Sequence, residues 1–268
     1  DYGYTGGSAE GAPMDRLAGK RVAIIGTGAT AVQCVPHLAR DAGQLFVFQR
    51  TPSSVDVRAN QPIDPDWFQS IATPGWQTRW LENFAANVGM GGAAEDWVQD
   101  GWTDLSRRIR ARVMQLPPSE WTPDNIMKVW EMADHEKMEE IRQRAVTVVE
   151  NRATGEALQA WYRQLCKRPC FHDAYLQAFN RPTVTLVHTD GQGVERIDET
   201  GIWAGGQHYA VDCIIHSTGF EVGTPTEERA GFDPVGIGGQ KLSEAWADGM
   251  RTLHGLNSAG FPNLFLIQ

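Results

Sequence analysis

Residues 20–50, KRVAIIGTGATAVQCVPHLARDAGQLFVFQR, decide the fold. Val22 to Ile25 is a short unbroken apolar run, the pattern of a strand buried on both faces, and it ends in glycine. From Ala29 to Ala42 the apolar residues Val32, Val35 and Leu38 recur at helical spacing. Pro36 falls inside this helix, where it removes one backbone hydrogen bond and predicts a kink. Leu45 to Gln49 is a second apolar run. Strand, glycine turn, helix and strand in this order make one βαβ unit.

The turn itself, Gly26-Thr27-Gly28-Ala29-Thr30-Ala31, fits G-x-G-x-x-A between a strand and a helix. The first glycine permits the tight turn, the second lets the backbone approach a pyrophosphate, and the small last residue lets helix and strand pack closely. The pyrophosphate is expected on the helix N-terminus, where unpaired N–H groups and the positive end of the dipole point. A glycine turn in an unrelated α/β sheet is the bland alternative. Which dinucleotide is read at the end of the second strand, where an NAD site expects an acid about 20 residues on to hold the ribose hydroxyls. Gln49 holds that place, followed by Arg50 and Thr51. Without a carboxylate a 2'-phosphate is not repelled, and a guanidinium pairs with it in a bidentate way. The expected cofactor is NADP(H); the competing view is that Arg50 is a solvated strand-end charge.

Outward from this unit, residues 1–19 are Gly-rich without periodicity and read as an interdomain linker. After Arg50 the composition shifts: most of the ten tryptophans fall between Trp67 and Trp130, among charges and prolines, which predicts a helical insert over residues 63–165. Met138, Ile141, Ala145 and Val148 form one helical stripe, and Leu158, Trp161, Tyr162 and Leu165 another. The tryptophans are expected to pack a core. Arg107, Arg108, Arg110 and Arg112 read as a solvated face. Strand signals return at Thr183 to His188, Gly201 to Ala204 and Val211 to Phe220, and again in PNLFLIQ at the C-terminus.

Composition excludes several classes. The 268 residues carry 24 Lys+Arg against 33 Asp+Glu, a net charge of -9, which argues against a nucleic-acid partner, since phosphate backbones need clustered cations. No run approaches the roughly 20 apolar residues of a membrane span. Cys34, Cys166, Cys170 and Cys213 form no disulfide framework and no secretory signal precedes them, so a cytoplasmic location is expected. There is no G-x-S-x-G elbow. Cys166, Cys170 and His172 lack a fourth ligand at zinc spacing, and His135-Glu136 lacks a second histidine, so no metal site is expected.

The run Cys166-Lys167-Arg168-Pro169, with Tyr175 and Phe179-Asn180-Arg181-Pro182 downstream, shows by itself two adjacent cations pinned by a proline; a surface pair at a helix end would account for it. Together with Gly26 to Gln33, Gln49-Arg50-Thr51-Pro52, Ser217-Thr218-Gly219-Phe220 and Pro262-Asn263-Leu264-Phe265, it resembles the type I Baeyer-Villiger monooxygenases, the ketone-oxidising branch of the flavin-containing monooxygenases. The resemblance covers nearly the whole chain. It implies that NADPH reduces FAD, that O2 is activated on the flavin, and that a small-molecule ketone becomes an ester or lactone. It gives Arg168 the catalytic role of stabilising the anionic oxidant and the tetrahedral intermediate. Lys167 would join Arg50 and Thr51 around the 2'-phosphate, and Gly26 to Ala31 with Gln33 would line the pyrophosphate and nicotinamide.

The departures are equally specific. The family's N-terminal FAD-binding Rossmann unit and its F-x-G-x-x-x-H run are not found; the 19 residues before Lys20 are fewer than the roughly 30 of a βαβ unit. The chain therefore reads as a fragment, an expectation strengthened by the start at Asp1, whose partner would be the missing FAD-domain portion of the same protein. The expected fold class is α/β: a Rossmann-type NADP-binding domain formed by residues 20–62 and 166–220 around the insert, plus a returning FAD-domain segment at 221–268. A flavin monooxygenase oxidising nitrogen or sulfur, and an NADP-binding fragment without turnover, are the alternatives.

Overall fold

The computed structural model describes residues 2–89, 92–220 and 223–267. Asp1, Glu221, Val222 and Gln268, at the ends of the expected linker and return segment, lie outside them, as do Met90 and Gly91 of the insert. The elements are, in order, β1 (Arg21–Ile25), α1 (Ala29–Asp41), β2 (Gln44–Gln49), β3 (Val55–Asp56), α2 (Pro65–Ile71), α3 (Trp76–Val88), α4 (Gly101–Val113), α5 (Pro123–Val148), α6 (Arg152–Ala157), β4 (Cys170–Phe171), α7 (Tyr175–Ala178), β5 (Val184–His188), β6 (Arg196–Asp198), β7 (Gly201–Ala204), β8 (Gln207–Ala210) and β9 (Cys213–His216). They belong to a compact unit that runs to Gly219; a second unit starts at Phe220.

In the first unit a four-stranded sheet has the order β5-β2-β1-β9. All its pairings are parallel, and Ile25 sits level with Phe48 on one side and His216 on the other. Counted along the chain this is third, second, first, fourth, so the winding reverses between β1 and β9. A crevice outside the carboxyl ends of the strands, at such a reversal, is where open α/β sheets take ligands. Alternation sets the two faces. Val22, Ile24, Leu45 and Val47 pack with Val32, Val35 and Leu38 of α1. On the opposite face Ala23 and Phe48 pack with Val187, Ile202 and Ala204, where the antiparallel β6-β7-β8 meander covers the sheet. Tyr209 of β8 meets Phe46 and Phe48 edge-on at 5.5 and 5.3 Å. Helix α1 runs unbroken through Pro36, its Val32, Val35 and Leu38 stripe buried against the sheet.

Leaving β2, the chain makes the two-residue strand β3, which pairs in parallel with β4. Between them lies the helical insert. Its helices start at side-chain caps: Asp64 accepts from Asp66 and Trp67 N–H, Asp100 from Trp102 N–H, Thr122 from Asn125 N–H. Met138, Ile141 and Ala145 of α5 are buried as their spacing predicts.

Four expectations are corrected. Leu158 to Leu165 is not one α-helix: α6 ends at Ala157, only a 3-10 turn follows at Gln164–Cys166, and Trp161 and Leu165 are exposed. Here α5 takes the backbone groups a helix would use, since Arg142 donates to the Ala160 carbonyl and the Asp134 carboxylate accepts from Gln164 N–H. Among the described residues no tryptophan is buried: Trp130 packs at the margin of the Leu105, Ile109, Val113 and Ala133 cluster, and Trp80 meets Trp67 and Trp76 edge-on and Trp97 at a tilt, at 5.8 to 6.3 Å. The α4 arginines are bound rather than merely solvated: Arg107 and Arg108 pair with Asp104, Arg108 also with Glu140, Arg112 with Glu136, and Arg110 donates to the Asn87 and Gly89 carbonyls. Leu17 of the expected linker is fully buried in the α1 side of the core.

The second unit contains two short helices, α8 (Thr226–Ala230) and α9 (Leu242–Ala245), and isolated bridges Val235–Lys241 and Leu253–Asn257. Its Asn263 to Ile267 run, expected as a buried strand, forms no strand among the described residues; Phe265 and Ile267 are exposed, with no neighbouring strand there to pair with.

Candidate nucleotide and catalytic site

Gly26 is where β1 turns away from the sheet. Its φ is +111°, a region that favours glycine, and its N–H donates to the Phe48 carbonyl at 2.9 Å. A Cβ here would fall on the Ser217 carbonyl oxygen at the end of β9. Thr27 is buried and its hydroxyl donates to the Thr51 carbonyl at 2.9 Å, tying the turn to the segment after β2. Gly28 caps α1, and a Cβ on it would meet nothing within 4 Å, so the space before the helix is open. The N–H groups of the first turn, Ala29 to Ala31, are the ones a helix leaves without partners. Ala31 is fully buried, which lets α1 lie close to the sheet. Gln33 is exposed and its amide donates to Ala29 O of its own helix, apart from the turn.

Gln49 does not sit where a ribose ligand would. Its side chain is fully buried, donating to the Ala157 carbonyl at 2.7 Å and lying 3.0 Å from His188 Nδ1, and its Oε1 has no partner. The exposed side chain at this strand end is Arg50. The loop after β5 is laced to the same place: Thr189 N–H and hydroxyl both donate to the Gln49 carbonyl, and Gly191 N–H donates to the Arg50 carbonyl at 3.1 Å.

Lys167 and Arg168 arrive through the β3–β4 clasp. Cys170 N–H donates to Ser54 O at 3.1 Å and His172 N–H to Asp56 O at 2.9 Å. Arg144 of α5 donates to the Val55 and His172 carbonyls, cross-tying both strands, and burial pushes its guanidinium down from its ordinary value. Beneath the clasp the buried Lys137 ammonium lies 2.6 Å from Asp56 and 3.0 Å from Asp104. Burial works against that charge and the two carboxylates outweigh it, so Lys137 is raised overall; Asp104, also opposed by burial, is lowered chiefly by Lys137. Lys167 lies with its ammonium 4.9 Å from the Tyr162 ring centroid. Partial burial, then the nearby charge of Arg50, lowers it from the ordinary lysine value. Arg168 lies 6.0 Å from the ring of Trp102, in the first turn of α4, and Trp102 in turn is 5.2 Å from Phe171.

The structure thus brings Gly26 to Ala31 together with Thr51, and Arg50 together with Lys167. Arg168 is held on the insert side by Trp102, and Gln33 stays apart. Among the described residues no carboxylate lies within ion-pair distance of Arg50, Lys167 or Arg168, whereas Arg107, Arg108 and Arg112 of α4 all have one. Cations without counter-charges attract anions. Trp102 and Lys137 carry no local signal in the sequence, because their contacts cross the chain, and Tyr162 shows there only as part of a helical stripe.

No family model matches the chain. It is 49% identical over 270 residues to the neopentalenolactone D synthase of Streptomyces avermitilis, covering 100% of this chain and 45% of that protein. To a Baeyer-Villiger monooxygenase of Streptomyces coelicolor it is 46% identical over 269 residues, 98% of this chain and 44% of the relative. The polycyclic ketone monooxygenase of Thermothelomyces thermophila superposes with a TM-score of 0.84 at 39% identity, over 99% of this chain and 44% of that one. A steroid monooxygenase solved with NADP superposes with a TM-score of 0.65 at 28% identity, over 97% of this chain and 49% of its own. The chain spans about half the length of the relatives it matches. Along that half the chain is similar, in sequence and in α/β fold alike, to Baeyer-Villiger monooxygenases.

Proposed function

We propose that the protein containing this chain is an NADPH- and FAD-dependent monooxygenase that places one oxygen atom of O2 beside a ketone carbonyl, giving an ester or lactone. The observation that supports this reading is the closeness of Lys167 to Arg50 at the end of β2, neither with a paired carboxylate among the described residues, on the sheet that carries the open glycine turn. Residues 20–62 and 166–220 act as the nucleotide domain, 63–165 as its insert, and 221–268 as part of a second domain.

The residues present fit NADP. Gly26 and Gly28 let a pyrophosphate approach the first turn of α1, where free N–H groups face it. Arg50 and Lys167, with Thr51, hold the 2'-phosphate; a guanidinium fork and an ammonium suit a dianion that NAD lacks. The buried Gln49 takes no part in the ribose contacts. For FAD the fit is partial. One strand-turn-helix of the dinucleotide kind lies in these residues, and Gly236 to Gly239 forms a short turn without a preceding strand. When bound, FAD supplies two-electron reduction by NADPH and the activation of O2. Arg168 then offers a fixed cation to the negative charge that develops on oxygen during attack on the ketone, a stabilisation that is largest in a dry site.

The test uses the full-length protein, NADPH and a panel of cyclic ketones, sulfides and amines. Lactone formation with matching NADPH and O2 consumption is expected. Oxidation of sulfides or amines without any ketone product would move the protein to the sister class, and absence of both flavin and oxygen uptake would leave a nucleotide-binding protein only.

A further inference from the structure

Arg50 and Lys167 come from distant parts of the chain, and one side chain touches the anchoring of both. The Lys167 ammonium lies 4.9 Å from the Tyr162 ring centroid. At the far end of the same ring, the Tyr162 hydroxyl accepts from Ser54 N–H at 2.9 Å, on the segment that leaves Arg50 and Thr51 for β3. The ring also packs beside Met138, Ile141 and Ala160, so α5 fixes its place. The extended stretch around it is strapped down by Arg142 on Ala160 O and by Asp134 on Gln164 N–H.

Two unpaired cations side by side repel, and a flexible lysine stem would swing the ammonium into water. An aromatic face attracts an ammonium through its quadrupole, and fixing a side chain before binding removes ordering cost from the binding step. We propose that Tyr162 is a positioning residue for cofactor selection: its ring holds Lys167, and its hydroxyl holds the backbone that carries Arg50, so that a 2'-phosphate meets both cations at a preset spacing. This rests on the NADP reading above. The 2'-hydroxyl of NAD gains nothing from the arrangement, so the effect falls on the ratio of affinities rather than on nucleotide binding as such.

The test measures dissociation constants of NADP+ and NAD+ for the full-length protein by titration calorimetry. Tyr162→Leu is expected to weaken NADP+ by about three- to tenfold, the scale of a lost cation–π contact, and to leave NAD+ within about twofold. Tyr162→Phe keeps the ring and is expected to retain most of the preference. An unchanged NADP+/NAD+ ratio in Tyr162→Leu, or an equal loss in both variants, overturns the role of the ring. Should Tyr162→Leu fail to fold, the unmutated protein still decides: in spectra of 13C-dimethylated lysines, assigned with Lys167→Arg, the Lys167 signal is expected to be shifted by the ring current, and an unshifted signal overturns the contact. Arg50→Ala separates the two readings, because a ratio it leaves unchanged removes the 2'-phosphate site itself.

Discussion

The α-carbon of Gly26 lies directly against the carbonyl of Ser217, so the turn after β1 and the end of β9 have no room between them for a side chain. The contact spans the point where the winding of the sheet reverses. Gly26→Ala must push the two strand ends apart and hold alanine at a φ of +111°. A loss of about 2–4 kcal/mol is expected from strain and overpacking together. Chemical unfolding of the full-length variant should show it, with NADP+ binding lost wherever the protein remains folded.

Gln49 stands where an acid would favour NAD, yet its amide is buried on the Ala157 carbonyl. Gln49→Glu should therefore fail to create a preference for NADH. The carboxylate cannot donate to that carbonyl, which leaves a buried acceptor unpaired at a cost of about 1–3 kcal/mol. Burial raises a carboxyl pKa, and a group whose folded pKa is raised loses its stability contribution as pH rises. The variant should fall further below the parent at pH 8 than at pH 5 in thermal unfolding, and a gain in NADH affinity would contradict the placement of Gln49.

These two residues also mark how far the sequence could be read. The βαβ unit was legible because a strand buried on both faces, a glycine turn and an apolar stripe are all local patterns. Position 49 was legible as the absence of an acid, but not as a buried amide, because its partners Ala157 and His188 are more than a hundred residues away in the chain. Leu158 to Leu165 carried helical spacing and still folded as an extended strap, since Arg142 and Asp134 claim its backbone. Arg50, Lys167 and Arg168 could be named from motifs. What distinguishes them from Arg107, Arg108 and Arg112 of α4, the lack of paired carboxylates among the described residues, is a property of three-dimensional neighbours alone.

Lys137 joins the insert to the clasp, its ammonium shared by Asp56 and Asp104. Lys137→Met would leave the largely buried Asp56 carboxylate without its ion pair, while Asp104 keeps Arg107 and Arg108, and breaking such a group from one side costs about 3 kcal/mol. Asp104 is held below its ordinary value by Lys137, against the opposing pull of burial. Its contribution to stability is thus present above the unfolded carboxylate pKa of about 4 and disappears as pH falls through the lower folded value. The parent should lose stability on acidification below about pH 4. In Lys137→Met the hold on Asp104 is weaker, so the gap between variant and parent should be widest at neutral pH and should narrow toward pH 4. A gap that stays constant across urea titrations at pH 7 and 4 would contradict the assignment.

Arg168 has Trp102 on one side and no carboxylate partner among the described residues. Arg168→Ala should leave NADPH oxidation running while ester formation falls by about 10²–10³-fold, the usual cost of deleting a donor aimed at developing negative charge. Arg168→Lys keeps the charge but not the planar fork and should recover only part of that loss. Helix α4 starts at Gly101, where a Cβ would strike the Phe171 ring that Trp102 packs upon. Gly101→Ala is expected to shift Phe171 and Trp102, and with them Arg168, lowering ester yield per NADPH while NADP+ affinity, which we assign to Arg50 and Lys167, stays near that of the parent. Product analysis against NADPH consumed, with calorimetry for NADP+, distinguishes this from general damage: equal losses in both measurements would show that the first turn of α4 supports the fold and does not aim the arginine.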